Sequence, residues 1–155
     1  MKVLDLCSGL GGFSEAFRVN AHDVLRIENN PLLENVPDTK LMCIFEFRDW
    51  VEDNLNDPNV DTNVDIILFS PPCYEFSLAF NAPRAIHLRE TPDIPYEPSM
   101  EILYCGLDII QMLKPKYWIV ENVRGASQYF THHMGKVRQI NDAYFFWGNF
   151  PSFVP

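Results

Sequence analysis

The chain is 155 residues long, 47% hydrophobic and 14% aromatic, with a formal net charge of −9. This composition excludes a disordered chain, the length accommodates one domain over 1–155, and no apolar run reaches the roughly 18 residues of a membrane span. The acidic balance argues against an autonomous binder of polyanions, but it is uneven. Residues 1–113 carry 7 basic and 19 acidic groups and residues 114–155 carry 5 and 2, so a nucleic-acid face is expected near the C-terminal third or from another molecule.

Lys2 to Leu6 reads as a short apolar strand entering the glycine-rich turn "CSGLGG", and Phe13 to Phe17 has helical character. Asp23 to Glu28 reads as a second strand ending at "ENNP". Leu41 to Phe45 fits a third strand or a buried helical turn, and Asp49 to Asn63 a short helix and an acidic, Asn-rich loop. Val64 to Phe69 is apolar enough for a central parallel strand buried on both faces. Leu78 to Pro98, with four prolines, is a long connector, and connectors of that length are functional or mobile.

Ser99 to Leu113 carries the clearest helical pattern, with Leu103, Leu107, Ile110 and Leu113 on one apolar face, and Lys114-Pro115 ends it. Tyr117 to Val120 is the fifth strand, running into Glu121-Asn122-Val123. Val137 to Ile140 and Ala143 to Trp147 flank Asn141-Asp142 as a hairpin. Strands alternating with helices predict an α/β fold, a doubly wound, mostly parallel Rossmann-like sheet with a C-terminal antiparallel hairpin. In such sheets ligands bind beyond the carboxyl ends of the strands, where "CSGLGG", "ENNP", "SPPC" and "ENV" all fall.

Gly9, Gly11 and Gly12 let the backbone turn tightly and approach a ligand, and Glu28 at the end of the next strand suits a ribose diol. In "SPPCYEFS", Pro71 and Pro72 remove two backbone donors and fix two φ angles. The strand must stop there, and the stiff exit aims the Cys73 thiol; the alternative is a structural cysteine. Cys7, Cys43, Cys73 and Cys105 include no CxxC pair, and the four histidines are dispersed, so no metal site is expected. The opening "MKVLDLCSG" lacks a secretory signature, which together with the scattered cysteines predicts reduced thiols in a cytoplasmic protein.

"DLCSGLGGFSEAF", "SPPCYEFS" and "VENV", in that order, resemble motifs of the cytosine-C5 DNA methyltransferases, and "WGNFP" resembles a small, phage-like branch of that family. The resemblance implies methyl transfer from S-adenosyl-L-methionine to C5 of a cytosine turned out of DNA. It makes Cys73 the nucleophile that adds at C6, since a thiolate there renders C5 enamine-like. Glu121 would protonate or hydrogen-bond the ring at N3 if burial raises its pKa; otherwise it is a strand-end ion-pair partner. Asn122 would orient the loop.

The same resemblance places Asp5, Cys7, Gly9, Leu10 and Gly12 around the methionine and sugar, Glu28 at the ribose and Asn29 at the adenine. Glu46 or Phe47 would read the adenine edge, and Pro72 would close the site. Cys7 and Asn29 replace aromatics frequent in the family. The arginine motif that supports the target ring is absent in its usual form, leaving Arg138, with Gln139, as the nearest candidate. Arg84 and Arg89 of the long connector are phosphate candidates unless that connector is merely a solvated loop.

Family members usually continue into a target-recognition region beyond the point where this sequence stops at Pro155, so a second protein chain is an expected source of sequence readout. Alternatives are a tRNA cytosine-C5 methyltransferase and a catalytically weak or truncated subunit. Keeping both Cys73 and Glu121 favours an enzyme.

Overall fold

The computed structural model describes residues 1–152; of the expected 1–155 domain, residues 153–155 lie outside the described residues. The strands are β1 (Lys2–Leu6), β2 (Asp23–Glu28), β3 (Thr39–Leu41), β4 (Ile66–Phe69), β5 (Tyr117–Val123), β6 (Gln139–Asn141) and β7 (Tyr144–Asn149). The helices are α1 (Glu15–Val19), α2 (Ile44–Asn54), α3 (Pro83–Glu90), α4 (Glu101–Leu113) and α5 (Ser127–Met134). The strands form one sheet in the order β3-β2-β1-β4-β5-β7-β6. Pairing is parallel from β3 through β5, while β7 runs antiparallel to β5 and to β6.

The chain builds outward from β1 to β3, then returns to lay β4 on the other side of β1. That reversal is a topological switch point, and it sets the glycine turn after β1 beside the double proline after β4. Alternation along β1 divides the core. Leu4 and Leu6 join Ile67, Phe69, Val120 and Trp147 under α2, α4 and α5. Val3 joins Ile66, Leu68, Ile119 and Phe146, with Phe13 and Phe17 packed on them from the α1 side. A Cβ on Gly106 would stand 2.1 Å from the Phe69 ring, so α4 sits this close to the sheet only because residue 106 has no side chain.

Four local expectations change. The segment 41–45 is neither all strand nor one turn: β3 stops at Leu41 and α2 starts at Ile44, because the Cys43 N–H donates to Glu46 Oε2 at 3.0 Å and starts the helix there. The connector 78–98 contains α3, with Pro83 in its first turn. On α4 the buried stripe centres on Leu103, Cys105, Gly106, Ile109 and Ile110, while Leu107 and Leu113 are only partly covered. The adjacent His132 and His133, which read as a solvated loop in the sequence, are exposed but lie in the last turn of α5. The hairpin turns at Asp142, whose φ of 51° takes the left-handed conformation usually left to glycine. Among the described residues no helix is long and apolar enough to cross a membrane.

Candidate active site

Backbone hydrogen bonds continue past the strand ends and tie the loops together. Ser70 N–H donates to Leu6 O at 3.2 Å, Ser8 N–H to Ile27 O at 3.2 Å, and Met42 N–H to Glu28 O at 2.9 Å. Glu28 joins two of these loops: Oε2 accepts from Gly9 N–H at 2.8 Å, and Oε1 accepts from the N–H groups of Asn29 and Asn30 at 3.0 and 2.9 Å. A carboxylate has about four lone-pair sites, so Oε2 keeps room for a ribose hydroxyl.

Cys7 turns out of β1 with φ 56°, a strained left-handed conformation, and burial beside Glu28 pushes its thiol up to about 12. Gly9 (φ 53°) and Gly12 face open space where a side chain would otherwise stand. Gly11 is fixed differently: at φ 77°, a Cβ would meet the Arg26 guanidinium at 2.4 Å. Leu10 projects at the apex, 79% exposed, and Asn29 is exposed. Two buried oxygens here, Asp5 Oδ1 and Ser8 Oγ, have no hydrogen-bond partner. Orphaned acceptors beside an open glycine cradle fit a polar ligand of the S-adenosylmethionine kind.

The two expected adenine readers are committed to α2 in different ways. Glu46 caps α2, and Phe47 is 3% exposed in the core, its ring stacked on Trp50 at 5.8 Å between centroids. Pro72 is exposed and lines a smaller cleft toward α4, with Pro71, Tyr74 and Ile102.

Beneath the glycine turn lies a buried chain of polar groups. Ser14 Oγ donates to Asp5 Oδ2 at 2.6 Å and accepts from Arg26 Nε at 2.8 Å. Arg26, 1% exposed, also donates to Pro37 O, Gly11 O and Glu15 Oε2. Burial pushes Asp5 up to about 6, against the opposing pull of Ser14 and Arg26. Because the folded-state value exceeds the unfolded 3.8, Asp5 contributes stability that is present below pH 4 and lost as pH rises through about 6. Glu15, held down at about 2 by Arg18 and Arg26, titrates below that window. Denaturant unfolding at pH 4 and pH 7 is expected to show wild-type stability falling by up to about 3 kcal/mol relative to Asp5→Asn; parallel profiles would remove this role from Asp5.

The thiol arm stands on the other side of the switch point. Phe69 pairs with Val120, so Ser70 and Glu121 are the next residues along adjacent strands, and both line one cavity. Burial raises Glu121 above the usual carboxylate range, against the opposing pull of the Ser70 hydroxyl. Asn122, buried, donates from Nδ2 to Pro71 O at 2.9 Å and accepts from Val123 N–H at 2.9 Å. Cys73 is exposed beyond the prolines, and its carbonyl accepts from Phe76 and Ser77 N–H groups. Glu121 opens into a cavity of about 360 Å³ that also borders Ser8 and Gly12 of the glycine turn.

The arginines stand elsewhere than expected. Arg138 is exposed, and the residue paired in Glu121's row, through Phe146, is its neighbour Gln139. Arg84 is half-buried: Nη1 donates to Gly125 O at 2.9 Å and the guanidinium lies over Tyr129, which makes it a tie between α3 and the end of β5 rather than a phosphate contact. Arg89 is exposed, over the Phe80 ring at 4.3 Å.

Thiol arm, half-buried carboxyl and glycine cradle thus all stand at the carboxyl ends of β1, β4 and β5. A family model described as C-5 cytosine-specific DNA methylase matches residues 1–141. The chain belongs to this family. It is 29% identical over 141 residues to the type II methyltransferase M1.HphI of Haemophilus parahaemolyticus, covering 87% of this chain and 35% of that protein. It is 30% identical over 135 residues to the human tRNA (cytosine(38)-C(5))-methyltransferase, covering 81% of this chain and 31% of that one. The chain thus spans about a third of the length of these curated relatives. A solved S-adenosylmethionine-dependent methyltransferase from Agrobacterium tumefaciens has the same fold, with TM-score 0.55 and 20% identity over 87% of this chain and 42% of that one.

Within the C-5 cytosine methylase chain, four positions the motifs did not single out support the site: Ser14, Arg26, Ser70 and Tyr144. Arg26 left one signal in the sequence, a lone cation between Leu25 and Ile27 in the interior of the strand. A buried parallel strand holds such a residue only if it has partners.

Proposed function

We propose that the chain is the catalytic part of an S-adenosylmethionine-dependent methyltransferase acting on C5 of cytosine in DNA. The observation that carries this reading is the hydrogen bond from Asn122 to Pro71, which holds the "PPC" and "ENV" segments in one frame, with Ser70 and Glu121 lining one cavity with Ser8 and Gly12 of the glycine turn. Asp5, Ser8, Gly9 and Gly12 would hold the methionine end of the cofactor, and Glu28 the ribose; when bound, it supplies the methyl group.

Cys73, as thiolate, adds to C6 of the cytosine and gives C5 its nucleophilic character. Glu121, whose pKa burial raises, donates at N3 and stabilises the ring as electrons arrive. Once C5 has taken the methyl group, loss of its proton to solvent lets the C6–S bond break, so that the thiolate leaves and the N3 proton returns to Glu121. The exposed side chains of Arg124, Lys136 and Arg138, none in an ion pair among the described residues, offer contacts for phosphates. Reading of flanking bases is assigned to a partner surface, in keeping with the net charge of −9.

A tRNA substrate is the second reading, favoured by the 30% identity to the human tRNA enzyme. Transfer of tritiated methyl groups to duplex DNA, single-stranded DNA and tRNA decides between them. Label in duplex DNA supports the first, and label in tRNA alone selects the second. Cofactor binding without transfer to any of the three would indicate a subunit that does not itself catalyse.

A further inference from the structure

The cavity holding Glu121 has a wall that the mechanism above leaves unused. No arginine or lysine lines it, yet Tyr144 does. Tyr144 opens β7 directly after the Asp142 turn and pairs with Val123, while Phe146 pairs with Glu121. Tyr144 and Glu121 are therefore diagonal neighbours on one face of the sheet, roughly 7–8 Å apart. Phe146 and Trp147 are 9% and 0% exposed, but Tyr144 is 54% exposed. Its phenol is not spent on the core, and it stands at the mouth of the cavity.

The chemistry calls for a donor there. When the Cys73 thiolate bonds to C6, the C5–C6 π electrons shift into the ring, and negative charge builds on N3 and on the O2 carbonyl. Glu121 answers at N3. Three side-chain hydroxyls border the cavity: Ser8, Ser70 and Tyr144. The Ser70 hydroxyl acts on Glu121, opposing the effect of its burial, and Ser8 Oγ is buried beside the cofactor's glycine turn. We propose that the Tyr144 hydroxyl donates a hydrogen bond to O2 of the target cytosine and stabilises the thiolate adduct, in place of the cationic side chain the cavity lacks. The proposal rests on the cytosine-C5 reading. Tyr144 is then a catalytic residue of the addition step, and the ring alone is insufficient.

The test compares wild type, Tyr144→Phe and Tyr144→Ala under saturating S-adenosylmethionine, with cofactor affinity by calorimetry and covalent trapping on 5-fluorocytosine DNA. Tyr144→Phe is expected to lower the single-turnover transfer rate about 10²-fold and to slow trapping equally. Cofactor affinity and the DNA concentration for half-maximal rate should stay unchanged. Wild-type rates in Tyr144→Phe with a slow Tyr144→Ala would leave only a stacking role and overturn the proposal. Slow transfer with normal trapping would also overturn it, because the defect would then follow addition. A wild-type protein that binds cofactor but methylates no cytosine would overturn the cytosine-C5 reading itself, a result distinct from the other two.

Discussion

Cys73→Ser is expected to abolish methyl transfer, by on the order of 10³-fold or more, which corresponds to about 4 kcal/mol in the barrier. A serine hydroxyl stays protonated at neutral pH, so the atom that must attack C6 is no longer an anion. The variant should fold normally: Cys73 is exposed, and its carbonyl, which serves the Phe76 and Ser77 N–H groups, is untouched. Unfolding midpoints should therefore agree within about 0.5 kcal/mol. No other thiol is poised to substitute at the site: burial pushes Cys7 up to about 12 and Cys105 up to about 11, and Cys43 caps α2 without lining the cavity that holds Glu121. Tritium transfer and trapping on 5-fluorocytosine DNA measure the effect. Retention of wild-type rate would mean that the nucleophile is some other group.

The second large effect is on stability. Arg26→Met keeps the length of the side chain but removes a buried guanidinium that donates to Ser14, Gly11, Pro37 and Glu15. The carbonyls of Gly11 and Pro37 lose a donor, and buried Asp5 loses its nearest cationic support. Breaking a buried charge network by removing one partner costs about 3–5 kcal/mol. Urea unfolding should show a loss of that size, and calorimetry should show weakened cofactor binding, because Gly11 belongs to the turn that forms the cradle. Adding Ser14→Ala should cost less than the sum of the two single changes. A loss below about 1 kcal/mol would mean that the network is incidental.

The ends of β1, β4 and β5 are legible in the sequence because their signals are local: glycines, paired prolines and a Glu-Asn step each follow an apolar run. The parts that are not legible depend on distant partners or weak periodicity. Only Ala85 is buried in α3 and only Phe130 in α5, so neither helix has a stripe to announce it. Glu46 and Phe47 are adjacent on α2 and point about 100° apart. The phase that turns Glu46 back to the Cys43 N–H sends Phe47 into the core, and that phase is set by the cap rather than by composition. Arg84 reads as a free cation in a proline-rich stretch until α3 brings it to the carbonyl of Gly125, forty-one positions away. Arg138 fails by one residue, since strand pairing puts Gln139 across from Phe146.

The Asn122 amide has a consequence for how the protein moves. It sits next to Glu121 and clasps the backbone two residues before the Cys73 sulfur, across fifty-one positions of chain. The entropy of bringing these two segments together is therefore spent during folding, before any ligand arrives. Because one side chain bridges both, loosening the thiol arm also breaks a hydrogen bond from the end of β5.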